Sequence, residues 1–314
     1  MAGLSFNGKG CIKGFTIGCG SLFFFIIILL IGAGYLLNLR FDKFTSDTTE
    51  ERFTIKTDST TGMKIIAADF KWQFVDEFLK NRSVILSLEV LEKEVREVMN
   101  YIDRVSKMSL SELGINQSEM GDDEVLNSKI VWDNIYRLVY NNNKRKFLNI
   151  IKGFNRIFEQ QNMPPKTRLL FLITFVQNIE YKRPGGDLDL LPPLACIANR
   201  YGDCDTKALL LYILLESYNI DCVLFWSYKY AHAMLGVAVN GRGYYIKFKG
   251  KRYYFLETTY PDWDIGQISP EADNLRYWFV DDLDSGSDEI MKKEDDSFEE
   301  PVRRRDNKPQ PAVQ

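Results

Sequence analysis

A long uncharged run near the start of the chain limits what the chain can fold into. Residues 15–37 carry no charged side chain. A helix of this length can cross the hydrocarbon core of a bilayer. A cleaved signal peptide would have a shorter apolar segment that ends in a small-x-small site, and Gly32-Ala33-Gly34 matches such a site poorly. The sequence therefore predicts one transmembrane helix at 15–37, preceded by a tail at 1–14.

Charges on the two sides of this run bear on its orientation. Lys9, Lys13 and the amino terminus precede it, and Arg40 and Lys43 follow it. The balance slightly favours an N-terminus inside the cell, so we expect a single-pass membrane protein whose larger part lies outside the cytoplasm. The chain has a formal net charge of -3. Such a charge does not favour a nucleic acid partner.

The segment after the apolar run begins as a spacer and continues as strands. Residues 38–66 are rich in Thr, Asp and Lys and are predicted to be a linker. Residues 67–164 then start with two segments of alternating apolar side chains, Phe70, Trp72 and Phe74 in the first, and Val84, Leu86, Leu88 and Val90 in the second. This period of two predicts two strands, joined by a turn near Asn81-Arg82.

Helical patterns come next, and strand patterns follow them. Apolar side chains at helical spacing predict helices near 130–139, 147–158, 165–179 and 209–218. Short segments rich in aromatic and β-branched residues predict strands at 223–228, 232–239, 243–248 and 252–258, with hairpin signals at Asn240-Gly241 and Lys249-Gly250. Helices followed by an antiparallel meander indicate an α+β fold with its core at 165–280. Residues 281–314 are predicted to be a charged, disordered tail.

Cys204 lies where a reactive thiol would be expected. It follows Gly202-Asp203 and opens an apolar helical segment. Unpaired N–H groups and the dipole at a helix start favour a thiolate, which would lower the pKa of the thiol, most strongly if a histidine cation were near. The same N–H groups could hold an oxyanion. A buried, inert cysteine is the alternative interpretation.

His232 and Glu257 supply the other groups that a thiol nucleophile needs. His232 is the only histidine of the chain, and an imidazole is the natural base at neutral pH. Glu257 lies at the end of a later strand among apolar neighbours, where it could hold the far nitrogen of the ring. With one histidine and no CxxC pair, a Cys/His zinc site is excluded, and no cofactor is expected.

Three segments together resemble a known family. GDCDTKA around Cys204, YAHAML around His232 and YYFLETT around Glu257 are similar to the Cys, His and acid segments of the transglutaminase-like superfamily, which has a papain-like core. The resemblance covers roughly residues 165–270, and it implies Cys204 as nucleophile, His232 as general base and Glu257 as the acid. Many members have Asp in the third role, and a second acid where this chain has Thr206.

These observations favour thiol chemistry on an amide bond. The expected reaction forms a thioester and resolves it with water or with an amine, on a protein or peptide substrate, with hydrolysis favoured. The amide of Gln177 is a candidate for the oxyanion hole, because an N–H donor would suit that position. A non-catalytic transglutaminase-like module that binds peptide or polysaccharide at the cell envelope is the alternative function.

Overall fold

The computed structural model describes residues 50–57 and 63–284. The predicted membrane helix at 15–37, the tail at 1–14 and residues 285–314 lie outside these ranges. Within the described ranges, no helix combines the length and the apolar character that a membrane span needs.

Six α-helices and ten strands make up the described fold. The helices are α1 (Glu92–Val105), α2 (Glu124–Lys144), α3 (Leu148–Gln160), α4 (Pro165–Gln177), α5 (Pro193–Asn199) and α6 (Cys204–Glu216). The strands are β1 (Glu50–Ile55), β2 (Ile65–Val75), β3 (Asn81–Leu91), β4 (Glu180–Tyr181), β5 (Tyr201–Gly202), β6 (Cys222–Ser227), β7 (His232–Val237), β8 (Tyr245–Phe248), β9 (Lys251–Leu256) and β10 (Phe279–Asp281). Mixed helices and mainly antiparallel sheets agree with the predicted α+β class.

The first sheet has the order β1-β3-β2. β2 and β3 pair antiparallel, as their alternating patterns predict, and β1 pairs parallel to β3. Two predictions are wrong here. The linker prediction for 38–66 fails at β1, which contributes the buried Phe53 and Ile55. The turn between β2 and β3 lies at 76–80, not at Asn81-Arg82, which already belongs to β3.

Helix α4 is the element on which the first sheet packs. Pro165 stands in its first turn, where a missing N–H costs nothing. Its aromatic side chains meet those of β2 edge to face: the rings of Phe171 and Trp72, and of Phe175 and Phe70, have centroids 5.1 Å apart. This packing fixes the C-terminal end of α4, which reaches the candidate site.

The second sheet has the order β10-β6-β7-β9-β8, so the predicted meander is wrong. Lys249 and Gly250 form the tight β8–β9 hairpin, both with positive φ, as the sequence indicates. Asn240-Gly241 does not connect neighbouring strands, because β7 pairs with β9 and β8 lies at the edge. Gly236 on β7 gives room to Phe225, whose Cζ would lie 2.4 Å from an added Cβ. This order brings the end of β9 next to the start of β7.

One hydrophobic core joins segments that the sequence assigned to two regions. Buried residues of 67–164, such as Phe70 and Phe154, belong to the same cluster as Leu210 of the all-round apolar helix α6. The predicted boundary at 280 is also too early. Asp281 is buried and accepts a hydrogen bond from Arg137, and Leu283 is buried as well. The folded unit therefore includes residues up to at least 284.

Candidate active site

Cys204 is the first residue of α6, as the sequence predicts. The side chain of Asp203 caps the helix by accepting a hydrogen bond of 3.0 Å from the backbone N–H of Thr206. The helix is then buried from Thr206 to Leu215, and Asp205 in its first turn is half-buried. Cys204 itself is 8% exposed. The thiol is therefore placed at the open end of a rigid, capped helix.

Gly202, two residues before Cys204, does not form a left-handed turn. Its φ is not positive; the left-handed residue nearby is Arg200, with φ 63° at the end of α5. Gly202 instead allows close approach, because an added Cβ would lie 2.6 Å from Cγ2 of Thr206 and 3.1 Å from Sγ of Cys196. The glycine lets α5 and α6 meet directly before the thiol.

His232 and Glu257 form a close pair. His232 begins β7, Glu257 follows directly after β9, and the two strands are neighbours. The Nε2 atom of His232 lies 2.8 Å from Oε2 of Glu257. The other carboxylate oxygen accepts three hydrogen bonds, from the N–H groups of Thr258 and Thr259 at 2.8 Å and from the Thr259 hydroxyl at 2.6 Å. The carboxylate is thus fixed by four donors and aims at one ring nitrogen.

The pair shifts the pKa of both partners. Burial opposes ionisation of Glu257, but the adjacent His232 and the Thr259 hydrogen bonds outweigh it and lower the pKa of Glu257 to about 2. Burial likewise opposes protonation of His232, and the charge and hydrogen bond of Glu257 outweigh it, so the pKa of the ring is raised. Glu257 therefore makes His232 a stronger base.

The thiol of Cys204 is protonated in this arrangement, which corrects the expected lowering of its pKa. Burial raises the pKa well above its ordinary value, and the carboxylates of Asp205 and Asp203 add to the increase. The backbone N–H of Ala233, next to His232, opposes this effect only in part. The thiol donates to Oδ1 of Asp205 at 3.8 Å. A base must therefore remove its proton before it can act as a nucleophile.

Asp205 is a site residue that the sequence reasoning missed. It is half-buried, and it accepts a hydrogen bond from the buried Tyr136 of α2. Burial and the charge of Asp203 raise the pKa of Asp205 to about 7, although His232 opposes the increase. Asp205 and His232 each affect the pKa of the other, so the ring lies within electrostatic range of this carboxylate. No hydrogen bond joins Cys204 to His232 within the described residues, and the Nδ1 atom is the ring nitrogen that Glu257 leaves free.

Gln177 is not available for an oxyanion hole. It is 2% exposed at the end of α4, and its amide nitrogen donates to the carbonyls of Glu257 at 2.9 Å and Trp263 at 3.0 Å. Both N–H groups of the amide are therefore in use. Gln177 supports the backbone on which Glu257 sits, and the candidate role in the oxyanion hole is corrected.

Lys207 is a second residue that the sequence reasoning missed. It lies one turn after Cys204 on α6 and is fully buried. Its ammonium donates to the carbonyls of Gln177 at 3.2 Å, Ile179 at 2.7 Å and Thr259 at 2.7 Å. Burial lowers its pKa to about 8, a lowering that Cys196 and Glu257 oppose. Lys207 connects the helix of the thiol to the residue that holds Glu257.

Two tyrosines form the exposed rim beside the thiol. The rings of Tyr181 and Tyr260 stack with centroids 5.7 Å apart, and both side chains are exposed. Burial raises the pKa of Tyr181 to about 12, and the neighbouring Cys204 contributes to the increase. Tyr181 therefore lies within electrostatic range of Cys204.

Comparison with known proteins adds little to this geometry. No family model matches the chain, and no curated protein matches it. Among solved structures, the chain is similar to a candidate cysteine protease from Cytophaga hutchinsonii, with a TM-score of 0.27 and 11% identity over 65% of this chain and 68% of that one. A TM-score this low supports no conclusion about fold or function.

Proposed function

We propose that the described domain is a thiol enzyme of the transglutaminase-like type that cleaves an amide bond. The observations that carry the proposal are the His232–Glu257 pair at 2.8 Å and the backbone N–H of the next residue, Ala233, which is directed at the thiol of Cys204 at the start of α6. A packing role would not need a carboxylate whose one oxygen is held by three donors while the other faces an imidazole nitrogen. The three motifs that resemble the superfamily support the same assignment of roles.

In the proposed mechanism, His232 takes the proton of Cys204 through Nδ1 as the sulfur attacks the carbonyl carbon. Glu257 stabilises the imidazolium that forms. Backbone N–H groups at the start of α6 hold the oxyanion. The C–N bond then breaks, the amine leaves with the proton from His232, and a thioester remains on Cys204. Water attacks the thioester, His232 receives its proton, and the acid and the free thiol are released.

A peptide or isopeptide bond is the proposed substrate, with hydrolysis favoured over transfer to an amine. The first half-reaction is common to both outcomes, so the choice depends on whether water or an amine reaches the thioester. The exposed pair of Tyr181 and Tyr260, of which Tyr181 is within electrostatic range of Cys204, offers aromatic surface for the groups that flank the scissile bond.

A non-catalytic binding module is the second candidate, and one observation favours it. The pKa of Cys204 is raised, and its thiol donates to Asp205. A thiol that stays protonated would be inert. In that case His232 and Glu257 would serve only to join β7 to β9.

An electrophilic peptide probe separates the two candidates. The full chain would be treated with a peptidyl acyloxymethyl ketone, and labelled peptides would be mapped by mass spectrometry. An enzyme should be labelled at Cys204, and His232→Ala should abolish the labelling. Cys222→Ala is the matched control, because Cys222 is buried on β6 and its loss should change nothing. No labelling of Cys204 in the folded protein would favour the binding module.

We also propose that residues 15–37 anchor this enzyme in a membrane, with the domain outside the cytoplasm. The uncharged length of the run supports the anchor, and the flanking positive charges support the orientation.

A further inference from the structure

The turn between β2 and β3 exposes an apolar tip. Its residues Phe78 and Leu79 are 63% and 72% exposed, and Val75 at the end of β2 is 47% exposed. Single exposed apolar residues are common on protein surfaces, but three within five positions of one hairpin form a local patch.

The backbone of this tip is well fixed. Oδ1 of Asp76 accepts hydrogen bonds from the N–H groups of Phe78 at 2.9 Å and Lys80 at 3.0 Å. The backbone of Asp76 also bonds to both Leu79 and Lys80 at 3.0 Å. Leu79 has φ 59°, in the left-handed region that a bulky residue rarely adopts. The turn therefore holds Phe78 and Leu79 outward despite backbone strain.

Acidic side chains of the turn point away from the tip. The carboxylate of Asp76 is fully buried and pairs with Arg82 at 3.1 Å. Glu77 accepts a hydrogen bond of 3.3 Å from the hydroxyl of Thr167 on α4. The exposed side chains here are Val75, Phe78, Leu79 and Lys80, and Glu77 is half-buried. Apolar residues beside a cation are the composition that favours the interface of a bilayer.

The register of the first sheet fixes where the preceding chain arrives. Because β1 runs parallel to β3, with Glu50 opposite Ser83, β1 begins at the end of the sheet that carries the 76–80 turn. Residues 38–49 separate this point from the predicted membrane helix. Fully extended, they reach at most about 43 Å. The exposed tip and the connection to the predicted anchor therefore lie on the same side of the domain.

We propose that the 76–80 turn inserts Phe78 and Leu79 into the interfacial region of the bilayer. This proposal rests on the proposed membrane anchor. The turn then sets the orientation of the domain. Helix α4 contacts the turn through Thr167 and the candidate site through Gln177, ten residues later. These positions are about 15 Å apart along the helix, so the site lies away from the lipid surface.

Lipid photo-crosslinking tests the contact. The full chain would be reconstituted in phosphatidylcholine vesicles that contain a diazirine-acyl phosphatidylcholine, and crosslinked peptides would be mapped by mass spectrometry. We expect crosslinks at 15–37 and at the peptide that contains 76–80. The double variant Phe78→Ser, Leu79→Ser should lose the crosslinks at 76–80 and keep those at 15–37. Leu148→Ser is the control, because Leu148 is equally exposed on α3 and should leave both sets unchanged.

The remaining outcomes separate the tip from the anchor. Crosslinks at 15–37 alone overturn the proposed tip contact while the anchor stands. Crosslinks at 76–80 alone support the tip contact and overturn the anchor. In a parallel reaction with an amine-reactive crosslinker in place of the lipid probe, links between Lys80 of two copies of the chain identify a protein interface and overturn the proposal. A double variant that is labelled like the wild type by the lipid probe also overturns it.

Discussion

Replacing Glu257 by glutamine changes the charge of the site and keeps the shape of the side chain. The amide oxygen of Glu257→Gln can still accept hydrogen bonds from Thr258 and Thr259. Its NH₂ group then faces Nε2 of His232, which must become an acceptor, so the ring proton moves to Nδ1. This is the nitrogen that the mechanism assigns to the thiol proton, and the stabilisation of the imidazolium is lost as well.

The expected magnitude comes from the pKa of Glu257. A decrease from 4.5 to about 2 corresponds to about 3 kcal/mol, at 1.36 kcal/mol per unit. A step in which His232 carries positive charge should therefore slow by about 10²-fold. Because this pKa is lower in the folded protein, the carboxylate stabilises the fold above pH 4.5, and that stability is lost as the pH falls towards about 2. At pH 7 the variant should lose up to about 3 kcal/mol of its free energy of unfolding.

The pH dependence of Cys204 alkylation measures this effect without a known substrate. Iodoacetamide labelling would be quantified by mass spectrometry, with Cys196 and Cys222 as buried internal references. Glu257→Gln should label Cys204 about 10²-fold more slowly at pH 7.5. Its acidic inflection should move to lower pH, because the pKa of His232 is no longer raised. Glu159→Gln makes the same change on the exposed face of α3 and should behave as wild type.

An unchanged rate and an unchanged inflection in Glu257→Gln would refute the reasoning. His232 would then not receive the proton of Cys204, whatever the separation of the two side chains. The pair with Glu257 would be structural, and the binding-module interpretation would gain support.

Three other predictions concern stability, packing and the anchor. Lys207→Met should lower the free energy of unfolding in urea by about 3 kcal/mol or more, because three buried carbonyls lose their donor. The exposed Lys166→Met should lower it only a little. Equal values for the two variants would show that the hydrogen bonds of Lys207 contribute nothing net. Gly236→Ala should cost about 1–3 kcal/mol in the same assay because its Cβ overlaps Phe225, and a wild-type value would contradict that overlap. Deleting residues 1–40 should release the protein from membranes in an alkaline carbonate wash, and complete retention would exclude a single anchor.

Local patterns predicted several elements of the fold, but neither α1 (Glu92–Val105) nor the arrangement of the strands. The alternation at Phe70, Trp72 and Phe74 and the helix start at Cys204 both appear where the sequence places them. β1 was missed because only Phe53 and Ile55 mark its buried face. The predicted strand order was wrong because β7 pairs with β9. Packing of the side chains determines this pairing, and hairpin signals in the sequence do not indicate it.

Side chains of the site were predictable only when their residue type was distinctive. A single histidine and a cysteine at a helix start are visible in any sequence. The role of Lys207 was not predictable, because a lysine in an apolar helix is expected to extend to solvent. Its burial is explained only by the three carbonyls that converge on its ammonium group. Gln177 was misassigned because its partners, the carbonyls of Glu257 and Trp263, are distant in sequence.

Lys207 also makes the arrangement of the candidate site depend on complete folding of the domain. Its ammonium joins α6, which begins with Cys204, to the end of α4 and to the loop that holds Glu257. These contacts join residues far apart in sequence, so they form only when all three elements have docked. Until then the proposed nucleophile would lack an oriented base. A partly folded chain, during synthesis or after damage, would therefore lack the proposed activity.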